Sequence, residues 1–150
     1  MPTATPPETS PTTQPAPLKR GGWGFPEVLV ANGQALGCAV RHARSFLERG
    51  RGLLWRPRLE AGQALWILPC PSIHTVGMRY AIDVVFVSVD GRVLRIASNV
   101  TPMRFRLCKR AHSVLELASG QAALLGLAVG QQLSCVSANA LSHKPPLARQ

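Results

Sequence analysis

Histidine and cysteine are the residues of this chain best suited to bind a metal, and three of the four cysteines are followed four residues later by a histidine. The pairs are Cys38 with His42, Cys70 with His74, and Cys108 with His112. Zinc prefers thiolate and imidazole ligands, and two such pairs would complete a tetrahedral site. The candidate zinc ligands are Cys70, His74, Cys108 and His112, because both pairs flank the same predicted sheet end. We give more weight to buried structural cysteines and polar loop histidines, since the chain has no Cys-x-x-Cys knuckle. No other cofactor is predicted.

A second chemical feature is the carboxylate of Asp83, which interrupts an apolar stretch over residues 82–87. Burying an unpaired carboxylate costs several kcal/mol, so Asp83 requires partners. Arg79, Ser98, Thr75 and backbone N–H groups are the local candidates. The carboxylate either ties a loop to the sheet edge, the role we favour, or lines a pocket beneath a polar loop. The candidate pocket consists of His74, Thr75, Arg79, Asp83 and His112.

Glu116 raises the same question on another apolar strand. It alternates with Leu115 and Leu117, which places it on the opposite face of that strand. An exposed face is enough to explain a glutamate there, so we expect no buried role for it.

The Asp90-Gly91 pair positions the strand that carries Asp83. An Asp-Gly pair between two strand-like segments is a strong hairpin signal, because a type I′ turn needs positive φ at both central residues. A two-residue loop pairs Val87 with Leu94, Val85 with Ile96, and Asp83 with Ser98. Both faces of this hairpin are apolar, so we expect it inside the fold.

The remaining segments are short and separated by Gly and Pro. Strands are predicted over residues 27–30, 36–40, 64–68, 114–117 and 132–136, with a turn at Asn32-Gly33. One short helix is predicted from Ser45 to about Leu54, and another over 121–125 with Ser119 as its cap. The pattern therefore predicts a mainly β, sandwich- or barrel-like single domain with one or two short helices.

Composition divides the chain into one folded domain and two tails. Residues 1–24 hold six prolines among Thr, Ser and Gln, and such a segment cannot bury enough apolar area to offset chain entropy. Residues 139–150 form a similar, basic tail. The folded domain is expected over residues 25–138.

The chain is strongly basic, with 17 Lys and Arg against 7 Asp and Glu and a formal charge of +10. Cations concentrate between Arg41 and Arg58 and between Arg92 and Arg110, which favours non-specific attraction to nucleic acid. No nucleic-acid-binding motif accompanies them. No apolar run approaches the roughly 20 residues that span a bilayer, and no secretory signal is present. We expect a cytoplasmic location and no membrane partner.

Taken in order, several segments resemble the DUF192 family, small prokaryotic domains of unknown function. They are Arg51-Gly52-Leu53-Leu54-Trp55-Arg56-Pro57, residues 72–86, Asp90-Gly91-Arg92-Val93, residues 111–117, Gly120 and Gly126-Leu127-Ala128-Val129-Gly130. The resemblance implies a mainly β, sandwich-like domain without an assigned activity. Many members carry an aromatic-Met-Lys-Asn-Thr sequence before the Ile/Leu-Asp pair. This chain has residues 73–78 as Ile-His-Thr-Val-Gly-Met instead and resembles a His-Thr subgroup, so a pocket role of the Lys-Asn-Thr form does not carry over.

These observations favour an accessory protein without chemistry of its own, which binds a small ligand or a protein partner at the loops near His74 and Asp83. The alternative is a metal-dependent or Cys/His hydrolase that uses Cys70, His74, Asp83 and His112. That hypothesis lacks a nucleophile elbow or a helix N-terminus to activate the thiol. A third hypothesis is non-specific nucleic-acid binding through the arginine clusters.

Overall fold

The computed structural model describes residues 24–141, in which nine strands and three short helices are found. They are β1 (Glu27–Ala31), β2 (Gln34–Ala43), α1 (Phe46–Arg51), β3 (Gln63–Ile67), β4 (Ser72–His74), β5 (Ile82–Val87), β6 (Val93–Val100), β7 (Phe105–Leu107), β8 (Ser113–Ala118), α2 (Gln121–Leu124), β9 (Leu133–Ser137) and α3 (Ala138–Leu141). The prediction of a mainly β single domain is confirmed, with one helix more than expected. The sequence pattern did not indicate β4 and β7. Of the predicted tails, residues 1–23 and 142–150 lie outside the described part of the chain, and 139–141 belong to α3.

Seven strands form one curved sheet in the order β6-β5-β8-β3-β2-β1-β9. Its two outer strands meet, because Arg92 and Gln132 form a β-bridge. The N–H of Val93 also donates to the carbonyl of Gln131, and that of Leu133 donates to the carbonyl of Gly91. The sheet therefore closes into a barrel, which leaves few unpaired backbone groups at its edges.

The two faces of the barrel wall pack against separate apolar clusters. The inner cluster draws residues from all seven strands, among them Leu29, Val40, Trp66, Val85, Val93, Leu115 and Leu133. The outer cluster lies on the other face of β3, β5 and β8, and includes Leu65, Ile67, Val84, Phe86 and Val114. Apolar side chains on both faces explain why all six residues of β5 are buried.

The outer cluster is covered by the segment that connects β2 to β3. Within residues 24–141, these two strands form the only parallel pair of the seven-stranded sheet. β2 and β3 run parallel, so the chain must cross from one end of the sheet to the other between them. This crossover contains α1, which lies within the predicted helical segment and whose N-cap Ser45 forms a capping box with Glu48. Leu53 and Leu59 of the crossover join the outer cluster, as does Ile73 of the separate β4–β7 sheet.

The β5–β6 hairpin forms as predicted, but its turn differs. Gly91 has a φ of 86°, whereas Asp90 is not among the residues with positive φ. The N–H of Gly91 donates to the carbonyl of Ser88 at 3.1 Å, which indicates a longer loop with a glycine bulge rather than a two-residue type I′ turn. Val87 consequently pairs with Val93 and not with Leu94. The predicted register holds from Phe86 to Val84, with Val85 opposite Ile96. It shifts again before Ile82, which pairs with Val100, so the predicted pairing of Asp83 with Ser98 is not found.

Candidate functional site

Asp83 is fully buried and ties helix α2 to the barrel. Its Oδ1 accepts the N–H of Asn99 at 2.8 Å, and its Oδ2 accepts the N–H of Ala122 at 3.0 Å. Ala122 lies in the first turn of α2, whose N-cap Gly120 has no side chain to satisfy that donor. Ser119 does not cap α2, contrary to our prediction, and donates instead to Oδ1 of Asn99. These contacts agree with the structural role that we favoured for Asp83, in which the carboxylate ties a loop to the sheet.

Thr75 is also buried, and it joins two loops on the outer side of the barrel. Its Oγ1 donates to the carbonyl of Thr101 at 2.7 Å and accepts the N–H of Arg104 at 2.9 Å. The carbonyl of Thr75 accepts the N–H groups of Met78 and Met103. Thr75 therefore orders residues 75–78 and 101–104 as one unit beside the β4–β7 sheet.

The other three predicted pocket residues, His74, Arg79 and His112, are exposed. His74 lies opposite Phe105 in the β4–β7 sheet. Cys70 packs against the outer cluster, whereas Asp83 shares the inner face of β5 with Val85 and Val87. Asp83 and Cys70 therefore lie on opposite sides of the barrel wall, and the described residues do not bring together the Cys/His hydrolase set of Cys70, His74, Asp83 and His112.

Glu116 is a buried acid that our sequence analysis placed on an exposed face, and that interpretation was wrong. Only 5% of the residue is exposed, because it lies on the outer face of the barrel between its register partners Leu65 and Val84. Its Oε2 is buried without a hydrogen-bond partner in the described structure. Burial raises the pKa of Glu116 to about 7, since an apolar environment disfavours the charged form.

Two further titratable groups lie near this carboxyl. The Tyr80 hydroxyl is buried and, among described atoms, makes no hydrogen bond. Its pKa is raised by burial and then by the negative charge of Glu116, while Arg58, 5.4 Å from the ring centre, opposes the shift. Cys70 donates its S–H to the carbonyl of Ser72, and its pKa is raised mainly by burial and further by Glu116. A carboxyl, a phenol and a thiol therefore share one region beneath the crossover.

The crossover covers this region with backbone rather than with a side chain. Gly52 ends α1 with a φ of 47°, and a Cβ at this position would lie 3.8 Å from Oε2 of Glu116. Arg51 holds the following residues in place by donating to the carbonyls of Leu54 and Trp55. The covering segment is therefore short and well anchored.

Above the covered carboxyl, several large apolar side chains are exposed around the β4–β7 sheet. They are Trp55, Val76, Met103, Phe105 and Leu107, which are 89%, 50%, 66%, 62% and 42% exposed. A Cβ at Gly77 would lie 3.2 Å from Cδ2 of Leu54, and Met103 donates its N–H to the carbonyl of Thr75, so the crossover and both loops are neighbours. We call these five residues, together with the exposed residues His74, Arg79 and Arg104, the apolar–arginine face.

Two of these exposed residues are held in a strained backbone conformation. Trp55 has a φ of 63° and Met103 a φ of 61°. A bulky residue in the left-handed region costs on the order of 1 kcal/mol. The fold therefore presents both side chains to solvent at some cost in stability, a pattern that favours a binding role.

The charges on this face have one predominant sign. Residues 51–79 contain four arginines and the single acid Glu60, and residues 101–112 contain four cations and no acid. Arg106 donates to the carbonyl of Phe105, and Arg79 and Arg104 are exposed. The exposed apolar side chains thus belong to segments in which positive charge predominates.

Comparisons with known proteins identify the family. The DUF192 family, described as an uncharacterized ACR, matches residues 28–135, which is more than half of the chain. The chain belongs to the DUF192 family. It is 32% identical over 111 residues to the UPF0127 protein PF1050 of Pyrococcus furiosus, a match that covers 69% of this chain and 92% of that protein.

Two solved structures share the fold of this DUF192 domain, both with a TM-score of 0.65. One is a protein of unknown function from Novosphingobium aromaticivorans, 24% identical, covering 85% of this chain and 99% of its own. The other is a transcription regulator candidate from Sinorhizobium meliloti, 20% identical, covering 77% and 98%. At these identities the likeness concerns the fold alone.

The predicted zinc ligands differ from the group of metal-ligating side chains that the structure brings together within residues 24–141. The β4–β7 pairing and the bond from the N–H of Cys70 to the carbonyl of His112 bring the predicted segments together. Within residues 24–141, however, the one group of three or more ligating side chains with ligand atoms inside 4.8 Å is Glu27, His42 and Cys135. Zinc binding by the predicted four residues stays a prediction.

The described helices of the DUF192 domain include none that is long and apolar enough to cross a membrane.

Proposed function

We propose that this DUF192 domain is a binding module without chemistry of its own, and that its apolar–arginine face binds a segment of a partner protein. The observation that carries this proposal is the set of five large apolar side chains exposed around one small sheet. Contiguous exposed apolar surface rimmed by polar groups is typical of interaction sites. The face includes His74 from the candidate pocket, opposite Phe105.

The residue types of the face support a protein partner. Aromatic residues, Met and Arg are enriched at the centres of protein interfaces, and Trp and Arg are frequent among the residues that dominate binding energy. Trp55, Phe105 and Met103 supply the apolar contacts, and Arg79 and Arg104 supply the charges. Because these charges are positive, the partner segment should combine apolar side chains with acidic ones.

Glu116 supports a binding role more than an acid–base one. A carboxyl with a pKa about 7 could exchange protons at neutral pH. It is 5% exposed, however, and covered by the backbone of Gly52. A substrate would have to displace the crossover to reach it, so we assign Glu116 to the support of the face.

The compartment is part of the same proposal. All four cysteines are free thiols, which suits a reducing environment. We therefore place this binding function in the cytoplasm.

A displayed library of random peptides, selected on the full-length protein at physiological salt, tests the proposal. We expect the selected peptides to combine acidic with aromatic or aliphatic residues. They should lose binding to the double variant Trp55→Ser/Phe105→Ser, because both apolar contacts are removed while the core is untouched.

A matched control is the double variant Leu124→Ser/Val129→Ser, which changes two apolar residues that are 79% and 64% exposed outside the face. Peptides should bind this control as they bind the native protein. Equal binding to both double variants would contradict the proposal. A second contradicting result would be a selection that yields no peptide, together with binding of a DNA oligonucleotide or an anionic phosphatidylserine vesicle at the same salt concentration. That binding would have to depend on Trp55 and Phe105.

A further inference from the structure

The pairing of three strands brings a glutamate, a histidine and a cysteine together at one end of the barrel. β1 pairs with β2 on one side and with β9 on the other, with Glu27 opposite Val40 and Leu29 opposite Cys135. Side chains two residues apart share a face, so Glu27 lies on the face of Leu29, and His42 on the face of Val40. Leu29 and Val40 belong to the inner cluster. Register therefore places all three polar side chains on the inner side of the wall.

The separation of the three ligand atoms suits a single cation. The carboxylate oxygen, the imidazole nitrogen and the thiol sulfur all lie within 4.8 Å of one another, and Nδ1 of His42 is 2.8 Å from Oε2 of Glu27. Ligand atoms bound at 2.0–2.3 Å to one tetrahedral zinc are roughly 3.3–3.8 Å apart. Small side-chain movements would bring the set to that geometry.

The chemistry of the donors narrows the choice of cation. Thiolate, imidazole and carboxylate groups each bind zinc, whereas calcium and magnesium prefer oxygen ligands alone. All three residues are half-buried, and the side chains of His42 and Glu27 are 16% and 30% exposed. A cation could therefore reach the group from solvent and still be sheltered by the barrel wall.

A second layer of contacts orients the histidine. The His42 ring stacks on that of Trp66, with the ring centres 5.6 Å apart and an angle of 28° between the planes. Nε1 of Trp66 donates in turn to Oγ of Ser113 at 2.9 Å. Supporting contacts of this kind are what metal-binding histidines require.

We propose that Glu27, His42 and Cys135 bind one divalent zinc-type cation, with three protein ligands and one coordination position left open. This site is separate from the apolar–arginine face and from the predicted set of Cys70, His74, Cys108 and His112. Its first and last residues, Glu27 and Cys135, are 108 positions apart in the chain, so no short spacing motif indicates the site.

Titration of the full-length protein, purified without a histidine tag, with Zn²⁺ alone tests this inference. We expect one bound equivalent. We also expect Co²⁺ in its place to show the charge-transfer absorption of a cobalt–thiolate bond. Cys135→Ser should abolish that absorption and weaken Zn²⁺ binding at least roughly tenfold, because loss even of a supporting contact has that effect.

Two control variants, Cys70→Ser and Cys108→Ser, separate this site from the predicted one. Both should bind Zn²⁺ like the native protein. Loss of binding in these controls, no binding by the native protein, or unchanged affinity in Cys135→Ser would overturn the inference. Should Cys135→Ser fail to fold, Glu27→Gln decides, because it keeps the shape of a half-buried side chain. It should melt like the native protein without Zn²⁺ yet bind Zn²⁺ more weakly, and unchanged affinity would overturn the inference.

Discussion

Glu116 shows how a single buried acid makes stability depend on pH. In the unfolded chain its pKa is near the ordinary value of 4.5, and in the folded protein it is about 7. The folded state therefore holds more protons between these values, and the free energy of unfolding falls as pH rises through that window. The full effect is about 3 kcal/mol, reached above pH 7.

Glu116→Gln should remove this dependence. The amide keeps the size of the side chain but carries no charge to desolvate, so the variant should be more stable than the native protein at pH 8, by up to about 3 kcal/mol. At pH 5 the two proteins should be nearly equal. Urea unfolding at both pH values measures the difference. The same pH slope in both proteins would show that Glu116 is not a buried acid in solution.

Asp83→Asn should destabilise the fold. The amide can accept only one of the two backbone N–H groups that the carboxylate accepts, and a hydrogen bond to a charged group contributes about 2 kcal/mol. Asp90→Asn is the control. Because Asp90 is exposed, this substitution should change the free energy of unfolding by less than about 0.5 kcal/mol. Urea unfolding distinguishes them. An equally small effect at both positions would speak for a pocket role of Asp83.

The contrast between these two acids shows what the sequence could reveal at the scale of a residue. Asp83 interrupts a strand with apolar residues on both faces, so its burial and its need for partners were predictable. Glu116 alternates with apolar residues that belong to the inner cluster. Its own face is covered by residues 52–59, which lie far from it in the chain. Alternation alone could not predict that cover.

At the scale of elements, the closure of the barrel depends on the turn between β5 and β6. The sequence predicted this hairpin and most of its register, because the Asp-Gly pair and the apolar pattern are local signals. The predicted length of the loop was wrong. In the structure the carbonyl of Gly91 accepts the N–H of Leu133 in β9. A contact with a distant strand selects the bulged turn, and no local pattern contains it.

Gly91→Ala should therefore weaken barrel closure. A Cβ at Gly91 would lie 2.5 Å from the carbonyl oxygen of Leu133, in addition to the strain of a φ of 86°. Gly33→Ala is a matched control with a φ of 79° and no atom within 4 Å of the added Cβ. We expect a loss of about 1 kcal/mol at Gly33 and roughly 2 kcal/mol more at Gly91. Urea unfolding of both variants checks the difference, and equal losses would contradict closure at this point.

At the scale of the whole molecule, one topological feature determines where the binding face lies. The parallel pairing of β2 and β3 requires a crossover, and that crossover covers Glu116 and carries Trp55 to the β4–β7 sheet. The sequence predicted the loops around His74 as the binding region, and the proposed face includes His74. It did not predict β4 and β7, because three-residue strands are too short to show an alternating pattern.

We expect the apolar–arginine face to bind a protein segment that combines acidic and apolar residues. The most direct measurement is an NMR titration of the ¹⁵N-labelled protein with a peptide selected from the displayed library. Amide shifts should change at residues 54–56, 74–77 and 103–107 and stay constant at residues 121–130. A peptide that shifts residues 121–130, or the arginine cluster around Arg41, and leaves the face unchanged would contradict the account.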